Sequence, residues 1–477
     1  MSLREPGAIL LVSCYELGHQ PLGIAWPRAF LERAGFAPDH LDLSVEPFEE
    51  AKVRRARFVG IAVPMHTAIR LGARAAQRIR QINPAAFICF YGLYATLNAD
   101  YLRGGLADAV IGGETEGALV DLAEQVERGA AQRDGTPLST LDRLVYPVPA
   151  RAGLPELERY VHLARGADVV PAGYVEASRG CLHECLHCPI TPVYGGRFFA
   201  VPRDVVLDDV RQLVAAGAGH ITFGDPDFLN GPAHARKLVQ ALHAEFPAVS
   251  YDFTAKVEHM LEHRALFAEV AATGCAFIVS AVESLADGVL GELEKGHTGA
   301  DVRTALGIVR GAGLTLRPTF VAFTPWTTLA DYLELLQFVA DLDLIDEVDP
   351  VQFAIRLLVP PGSALLSRPG IRPYLGTLEP AAFTYRWTHP DPRMDRLQRD
   401  VAALVERATR TGETAADTFQ AIRETALAAT GERRPASAGR ARTDPSRSPR
   451  LTEPWFCCAE PTESQLDSVS ADPGKWV

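Results

Sequence analysis

At 477 residues the chain has room for two or three domains, and 47% hydrophobic with 22% charged residues is the composition of an ordinary folded protein. Its 47 basic residues against 59 acidic ones leave a net charge of −12, so no basic face for general nucleic-acid binding is implied. No apolar run reaches membrane-spanning length, no signal-peptide pattern opens the chain, and eight cysteines in so long a chain do not make a disulfide scaffold, so the expected location is the cytoplasm.

Residues 1–130 alternate apolar strands with helices. Strands are predicted at Ile9–Ser13, Phe58–Val63, Phe87–Gly92 and Ala109–Gly113, with helices over 22–35 and 68–81. Such alternation predicts a parallel, doubly wound sheet of Rossmann-like type. Ligands of such sheets bind beyond the carboxyl ends of the strands. The loops there are Cys14–Leu22, Pro64–Thr67, Gly92–Thr96 and Gly112–Glu116. Residues 131–170 read as a connector rich in proline and charge.

From residue 171 to 370 the alternation restarts. Strands are predicted near 172–178, 219–225, 249–257, 275–283, 314–323 and 349–358, a partial (β/α)6 barrel, since a closed eight-stranded barrel needs more chain. A helical region, 371–430, follows with amphipathic helices over 394–411 and 415–430. Residues 431–477 are a flexible tail: a disordered linker rich in Arg, Pro and Ser, then Trp455-Phe456-Cys457-Cys458-Ala459-Glu460-Pro461.

The densest chemical signal is Arg179-Gly180-Cys181-Leu182-His183-Glu184-Cys185-Leu186-His187-Cys188-Pro189. Three thiolates spaced C-x3-C-x2-C on one loop can hold three corners of a cubane iron–sulfur cluster, and a closed electron-transfer cluster takes four. A missing fourth ligand leaves one iron open for chemistry. The competing reading is a zinc knuckle, with His183 or His187 as fourth ligand.

Strand faces alternate with period two. Asp252, Thr254, Lys256 and Glu258 share one face of the third barrel strand, and Thr315, Arg317 and Thr319 share one face of the fifth. A buried arginine needs an anionic partner. Lys256 is therefore a candidate ligand for a bound carboxylate, against an internal Lys–Glu pair, and Arg317 is a candidate ligand for a bound carboxylate. Arg356 is a further candidate substrate ligand, with a structural ion pair as the other reading. Cys89 and Cys275 read as core, whereas Cys14, at a strand end, is placed to face a ligand.

Residues 170–370 resemble the radical S-adenosylmethionine (SAM) superfamily. The resemblance implies a [4Fe-4S] cluster on Cys181, Cys185 and Cys188, with SAM on its open iron. It makes the Phe223-Gly224-Asp225-Pro226-Asp227 segment the edge that binds the SAM amino group, through Gly224 and either Asp225 or Asp227. Ala281-Val282-Glu283-Ser284 resembles a Gly-x-Glu-Ser pattern and makes Glu283 a SAM contact. His187, just before the last cluster cysteine, stands where an aromatic packs near adenine. The Glu294-Lys295-Gly296-His297-Thr298 segment resembles the cobalamin-associated branch, and no role is assigned to it.

Residues 1–130 resemble the cobalamin-binding domain that precedes many radical SAM domains, through Gly112-Gly113-Glu114-Thr115-Glu116 and Gly92. Cobalamin is thus a third implied cofactor, against a fold retained as scaffold or lid. The cobalt-ligating Asp-x-His-x-x-Gly loop is not matched, and His19 reads as a hydrogen-bonding loop residue. The Cys457-Cys458-Ala459-Glu460-Pro461 run resembles the tail of the CUAEP/CCAEP-tail radical SAM family, some members of which carry selenocysteine at the position of Cys458.

The expected function is reductive cleavage of SAM to modify a small-molecule, metalloid or peptide substrate. Cys457 and Cys458 are candidate catalytic thiols, and a flavodoxin- or ferredoxin-type reductase is the expected electron donor. Two alternatives stand: a cobalamin-dependent radical SAM methyltransferase, and a non-catalytic protein handling a metal, metalloid or selenium. Neither a nucleic-acid nor a membrane partner is expected.

Overall fold

The computed structural model describes residues 2–132, 137–431, 448–456 and 458–469. The first domain is a six-stranded parallel sheet. Its strands are β1 (Ile9–Ser13), β2 (Asp39–Asp42), β3 (Phe58–Ala62), β4 (Phe87–Tyr91), β5 (Ala109–Gly113) and β6 (Leu138–Thr140), in spatial order β2-β1-β3-β4-β5-β6. β1, β3 and β4 are buried along their whole length. Both faces are covered, so these strands read as continuous apolar runs rather than alternating ones. β2 and β6 were not evident from sequence: at four and three residues they carry too little pattern. The helix His66–Ile82 packs one apolar face, including Ile69, Ala76 and Ile79, against this sheet.

The predicted connector is not wholly irregular. It contains β6 and β7 (His162–Arg165), and β8 (Asp168–Val175) starts before its end. β7 pairs antiparallel with β8, the first strand of the second sheet. The hairpin β9 (Ser178–Gly180) and β10 (Phe198–Ala200) flanks the cysteine loop. β11 (His220–Phe223), β12 (Ser250–Thr254), β13 (Cys275–Glu283) and β14 (Thr315–Phe320) then run parallel to β8, each beside the last. The sheet curls into the expected half-barrel.

The sixth barrel strand is reduced to a single bridge between Phe323 and Arg356, with a short 3-10 turn at Pro350–Phe353 in place of its first half. Pro350 has no N–H to give a ladder, which favours a turn there. Two of the barrel helices, Gly299–Gly311 and Leu329–Asp341, begin at reciprocal caps, Thr298 with Asp301 and Thr328 with Asp331.

A hairpin of β15 (Leu375–Glu379) and β16 (Thr384–Trp387) precedes the helices Pro392–Thr411 and Ala415–Ala428. Most of the linker expected to be disordered lies outside the described residues. The described part of the tail is docked. β17 (Arg450–Leu451) adds antiparallel to β7, and the helix Glu463–Ser468 lies against His66–Ile82. The apolar Trp455 and Leu466 account for this docking, since both pack against the first domain's core. Among the described residues no helix is long and apolar enough to cross a membrane.

Candidate active site between the two sheets

Loops at the carboxyl ends of both sheets line one cavity of about 460 Å³. The first domain contributes the segments after β3 and β4 and the Gly113–Glu116 turn. The barrel contributes the cysteine loop, Gly224, Lys256 and Glu283.

The cysteine loop is held by its flanking hairpin. Gly180 has φ +74°, and a Cβ there would lie 2.4 Å from the Arg197 carbonyl oxygen, so only glycine fits before Cys181. The Leu182 N–H donates to Asn230 Oδ1 at 3.2 Å, and the Cys188 N–H donates to the Cys185 carbonyl at 3.1 Å. All three thiols line the cavity and none is in a disulfide. Burial pushes the Cys188 thiol up to about 12. Metal coordination would reverse this, because a coordinating thiol is deprotonated. Three soft donors on one preorganised loop fit a cluster with an open corner.

Glu283 ends β13 in the left-handed region, with φ +68°, where the pairing of β13 with β14 shifts register. Non-glycine residues hold such a conformation at a cost of about 1–3 kcal/mol, and it concentrates at functional sites. Glu283 Oε1 lies 3.1 Å from His187 Nε2 and accepts from Lys295 Nζ at 3.3 Å. Burial alone would raise the carboxyl, but Lys295 and then His187 outweigh it and hold Glu283 at about 2. A fixed carboxylate therefore faces the cavity beside the cysteine loop.

The other expected contacts divide. Gly224 lines the cavity, and a Cβ there would lie 2.1 Å from the Tyr174 ring. Asp225 does not serve the cavity. It accepts from the Ser178 hydroxyl at 2.5 Å and the Ala177 N–H at 2.9 Å, and burial pushes it up to about 7. Asp227 is fully buried and lies beside His183 and His259, not beside the cavity's cationic groups. Lys256 lines the cavity but pairs with Glu258 at 3.2 Å. β12 stops at Thr254, so the alternating face assumed through Glu258 ends two residues before Lys256.

Arg317 is a correction. It donates to Asp349 at 2.7 Å and to the Asp346 carbonyl at 3.1 Å, an internal ion pair. Its face was read correctly, since Thr319 on that face does line the cavity, but Arg317 lies nearer the amino end of β14. Arg356 also borders the cavity, yet it is bound to Asp395 at 2.8 Å and lies 3.4 Å over the Trp387 ring. His183 lies 3.6 Å from Asp227 and His187 lies 3.1 Å from Glu283. His19 stacks on Tyr174 at 4.6 Å, and its Nδ1 makes no hydrogen bond. Cys89 and Cys275 are core. Cys14 borders a second cavity of about 390 Å³, shared with Glu453 and Gln465 of the tail.

The tail reaches the site. Cys458 and Phe456 line the central cavity, while Cys457 lies outside the described residues. Neighbouring groups fix the segment on the first domain. Glu460 pairs with His66 at 3.1 Å and Arg70 at 3.0 Å, and the Thr67 hydroxyl donates to the Ala459 carbonyl at 3.0 Å.

Two elements of the site escaped sequence reasoning. Arg179 is a largely buried hub at the cavity wall, 2.7 Å from Glu116, 2.8 Å from Glu176 and 3.5 Å from Glu114. Tyr146 and Tyr194 donate to Glu114 at 2.6 and 3.0 Å. The Gly-Gly-Glu-Thr-Glu segment thus clamps the two domains through the residue that introduces the cysteine loop. The only local hint was an arginine adjoining the triad. Lys295, the second, lies in the Glu294–Thr298 segment, to which the sequence alone assigns no role.

Comparison with known proteins agrees with this architecture. Residues 8–123 match the B12 binding domain family. A tRNA-2-methylthio-N(6)-dimethylallyladenosine synthase from Polynucleobacter asymbioticus is 26% identical over 262 residues, covering 50% of this chain and 53% of that protein. The ribosomal protein uS12 methylthiotransferase RimO of Porphyromonas gingivalis is 28% identical over 188 residues, 35% of this chain and 41% of that one. The chain spans about half the length of the curated relatives it matches. Among solved structures, the cobalamin-dependent SAM radical enzyme OxsB with aqua-cobalamin bound superposes with a TM-score of 0.66 at 15% identity, covering 84% of this chain and 67% of that one. The radical SAM methyltransferase TsrM from Kitasatospora setae, with cobalamin and a [4Fe-4S] cluster bound, does so with a TM-score of 0.63 at 16% identity, covering 89% and 99%. The first domain therefore matches the B12 binding domain family, and the chain as a whole shares the fold of these cobalamin-dependent radical SAM structures.

Proposed function

We propose that this protein is a cobalamin-dependent radical SAM enzyme of the methyltransferase type. One observation carries the reading: a single cavity is walled on one side by the strand-end loops of the B12-binding sheet and on the other by Cys181, Cys185, Cys188 and Glu283. When bound, a [4Fe-4S] cluster with SAM supplies reductive cleavage of a sulfonium carbon–sulfur bond, and a corrinoid supplies a methyl carrier. The three cysteines would hold the cluster. Glu283, kept ionised by Lys295 and His187, offers an acceptor for an ammonium or for ribose hydroxyls. Gly224 lets backbone approach a ligand closely. Gly92, with φ +113° and a would-be Cβ 3.1 Å from the Val63 carbonyl oxygen, lets the ends of β3 and β4 pack closely where they border the cavity. Trp26, Tyr91 and Tyr94 add apolar walls that exclude water.

The test is anaerobic reconstitution with iron, sulfide and hydroxocobalamin, then SAM and dithionite with mass detection. Retained corrinoid together with 5′-deoxyadenosine and S-adenosylhomocysteine, all SAM products lost in Cys185→Ala, is the expected result. 5′-Deoxyadenosine without corrinoid retention would overturn the cobalamin part, and an intact cluster without SAM cleavage would overturn the enzyme reading. The substrate, a small molecule, metalloid or peptide, and the flavodoxin- or ferredoxin-type donor are part of the proposal.

A second reading is favoured by the position of Cys458 in the same cavity: the tail thiols take part in the reaction, at a thiophilic centre or as a hydrogen-atom donor. Cys457, its neighbour in sequence, is included. Turnover unchanged in Cys457→Ser and Cys458→Ser would refute this.

A further inference from the structure

We propose that His183, Asp227 and His259 form a site for one divalent transition-metal ion, beside the cysteine loop and separate from it. The three side chains come from different elements: His183 from the loop between Cys181 and Cys185, Asp227 from the turn after β11, and His259 from the helix Val257–Glu262. Their donor atoms lie within 4.8 Å of one another. His183 Nε2 is 3.6 Å from Asp227 Oδ2 and within hydrogen-bond distance of His259 Nε2 at 3.2 Å, while His259 Nδ1 faces Asp227 Oδ2, so His259 has one nitrogen to offer an ion and one for a neighbour. Ligands about 2.0–2.2 Å from a shared ion are separated by about 3–4 Å.

The polar bonding around these groups is incomplete in a way that points to a ligand. Asp227 Oδ2 and His259 Nδ1 are buried and 2.7 Å apart, yet neither makes a properly directed hydrogen bond. Asp227 is fully buried, and its other oxygen already accepts the Leu229 N–H at 3.0 Å, so Oδ2 is the one aimed into the cluster of rings. An aspartate and a histidine that served only each other would point an N–H at the oxygen. Two buried donor atoms converging at this distance suit a shared cation.

Behind the triad, His183 Nδ1 lies 3.5 Å from Glu258 Oε2. A carboxylate behind a ligating imidazole fixes its tautomer and strengthens it as a donor. Two borderline imidazole donors with one hard carboxylate suit Fe²⁺, Co²⁺ or Zn²⁺ rather than Ca²⁺ or Mg²⁺, which take all-oxygen shells. Three protein ligands leave coordination positions open. His183 also lines the central cavity, so an oxygen or nitrogen group of a substrate held there can complete the shell. The donor set shares no residue with the cluster cysteines, so this inference and the proposed function fail separately.

The full chain, reconstituted anaerobically with iron and sulfide and then desalted, tests it by metal and sulfide content and by Mössbauer spectroscopy. The expected result is iron exceeding sulfide by one atom per chain, with a mononuclear high-spin ferrous doublet beside the cluster signal. His259→Gln removes the excess iron and the doublet and keeps the sulfide. Cys185→Ala does the reverse. Equal iron and sulfide in the wild type, or an excess that survives His259→Gln, overturns the site. Should the histidine variant fail to fold, Co²⁺ loading of the wild-type chain decides. Ligand-field bands without thiolate charge transfer support the triad, and bands with it assign the metal to the cysteines.

Discussion

The two walls of the central cavity handle buried charge in opposite ways. On the domain-joining side, Arg179 is ringed by Glu114, Glu116 and Glu176, and two tyrosine hydroxyls complete the shell of Glu114. On the cluster side, His187, Asp227 and His259 keep buried polar atoms without hydrogen-bond partners, and Glu283 sits on strained backbone. The first pattern is what charges look like when they serve the fold. The second is what they look like when a ligand is to complete them.

The sharpest way to break this contrast is Arg179→Met. It strands two buried carboxylates, Glu114 and Glu116, and the partly buried Glu176, and removing one partner of a buried pair costs about 3–5 kcal/mol. Urea unfolding should show a loss of that size, and a loss below about 1 kcal/mol would mean that the knot does not hold the domains.

Two carboxylates sharpen the contrast next, because their pH dependences run in opposite directions. Glu283 falls from 4.5 to about 2 on folding. Its ionised form therefore stabilises the fold fully above about pH 4.5, by about 3 kcal/mol, and this is lost as pH falls towards 2. Asp225 rises from 3.8 to about 7. Its contribution is therefore greatest below about pH 4 and is lost as pH rises through 7. Stability measured against pH should flatten in the acid window for Glu283→Gln and in the neutral window for Asp225→Asn. Parallel changes would refute the opposite environments.

Gly224→Ala is a smaller perturbation. Its Cβ displaces the Tyr174 ring from its stack on His19, an overpacking cost of about 1–3 kcal/mol visible in thermal unfolding. Smallest is Glu460→Gln, which weakens a half-exposed pair worth about 1 kcal/mol or less. Global stability should hardly move, while proteolysis next to Arg450 quickens. An unchanged cleavage rate would mean that Glu460 does not pin the tail.

What could be read from sequence follows the range of each interaction. The cysteine triad, Gly224 and Glu283 are local patterns, and all of them line the cavity. Arg317 shows where periodicity stops. Period two gives the face of a strand but not the height along it, and two residues separate a cavity wall from an internal ion pair. Lys256 shows the same limit at a strand end. Arg179 depends on Glu114 and Glu116, more than sixty residues away, and no local pattern reports such a pairing. The docking of the tail was masked by the polar linker before it.

The tail is fastened to both domains, at Arg450–Leu451 on the barrel edge and at Ala459, Glu460 and Glu463–Ser468 on the first domain, with Cys458 between the two attachments. A segment held at both ends behaves as a bivalent ligand of its own chain. Each attachment keeps the other at a high effective concentration, so two weak contacts hold together more firmly than either would alone. The avidity depends on the span between the two anchor points. Any widening of the gap between the domains stretches that span and loosens both ends together, making access to the cavity and the placement of Cys458 one cooperative event.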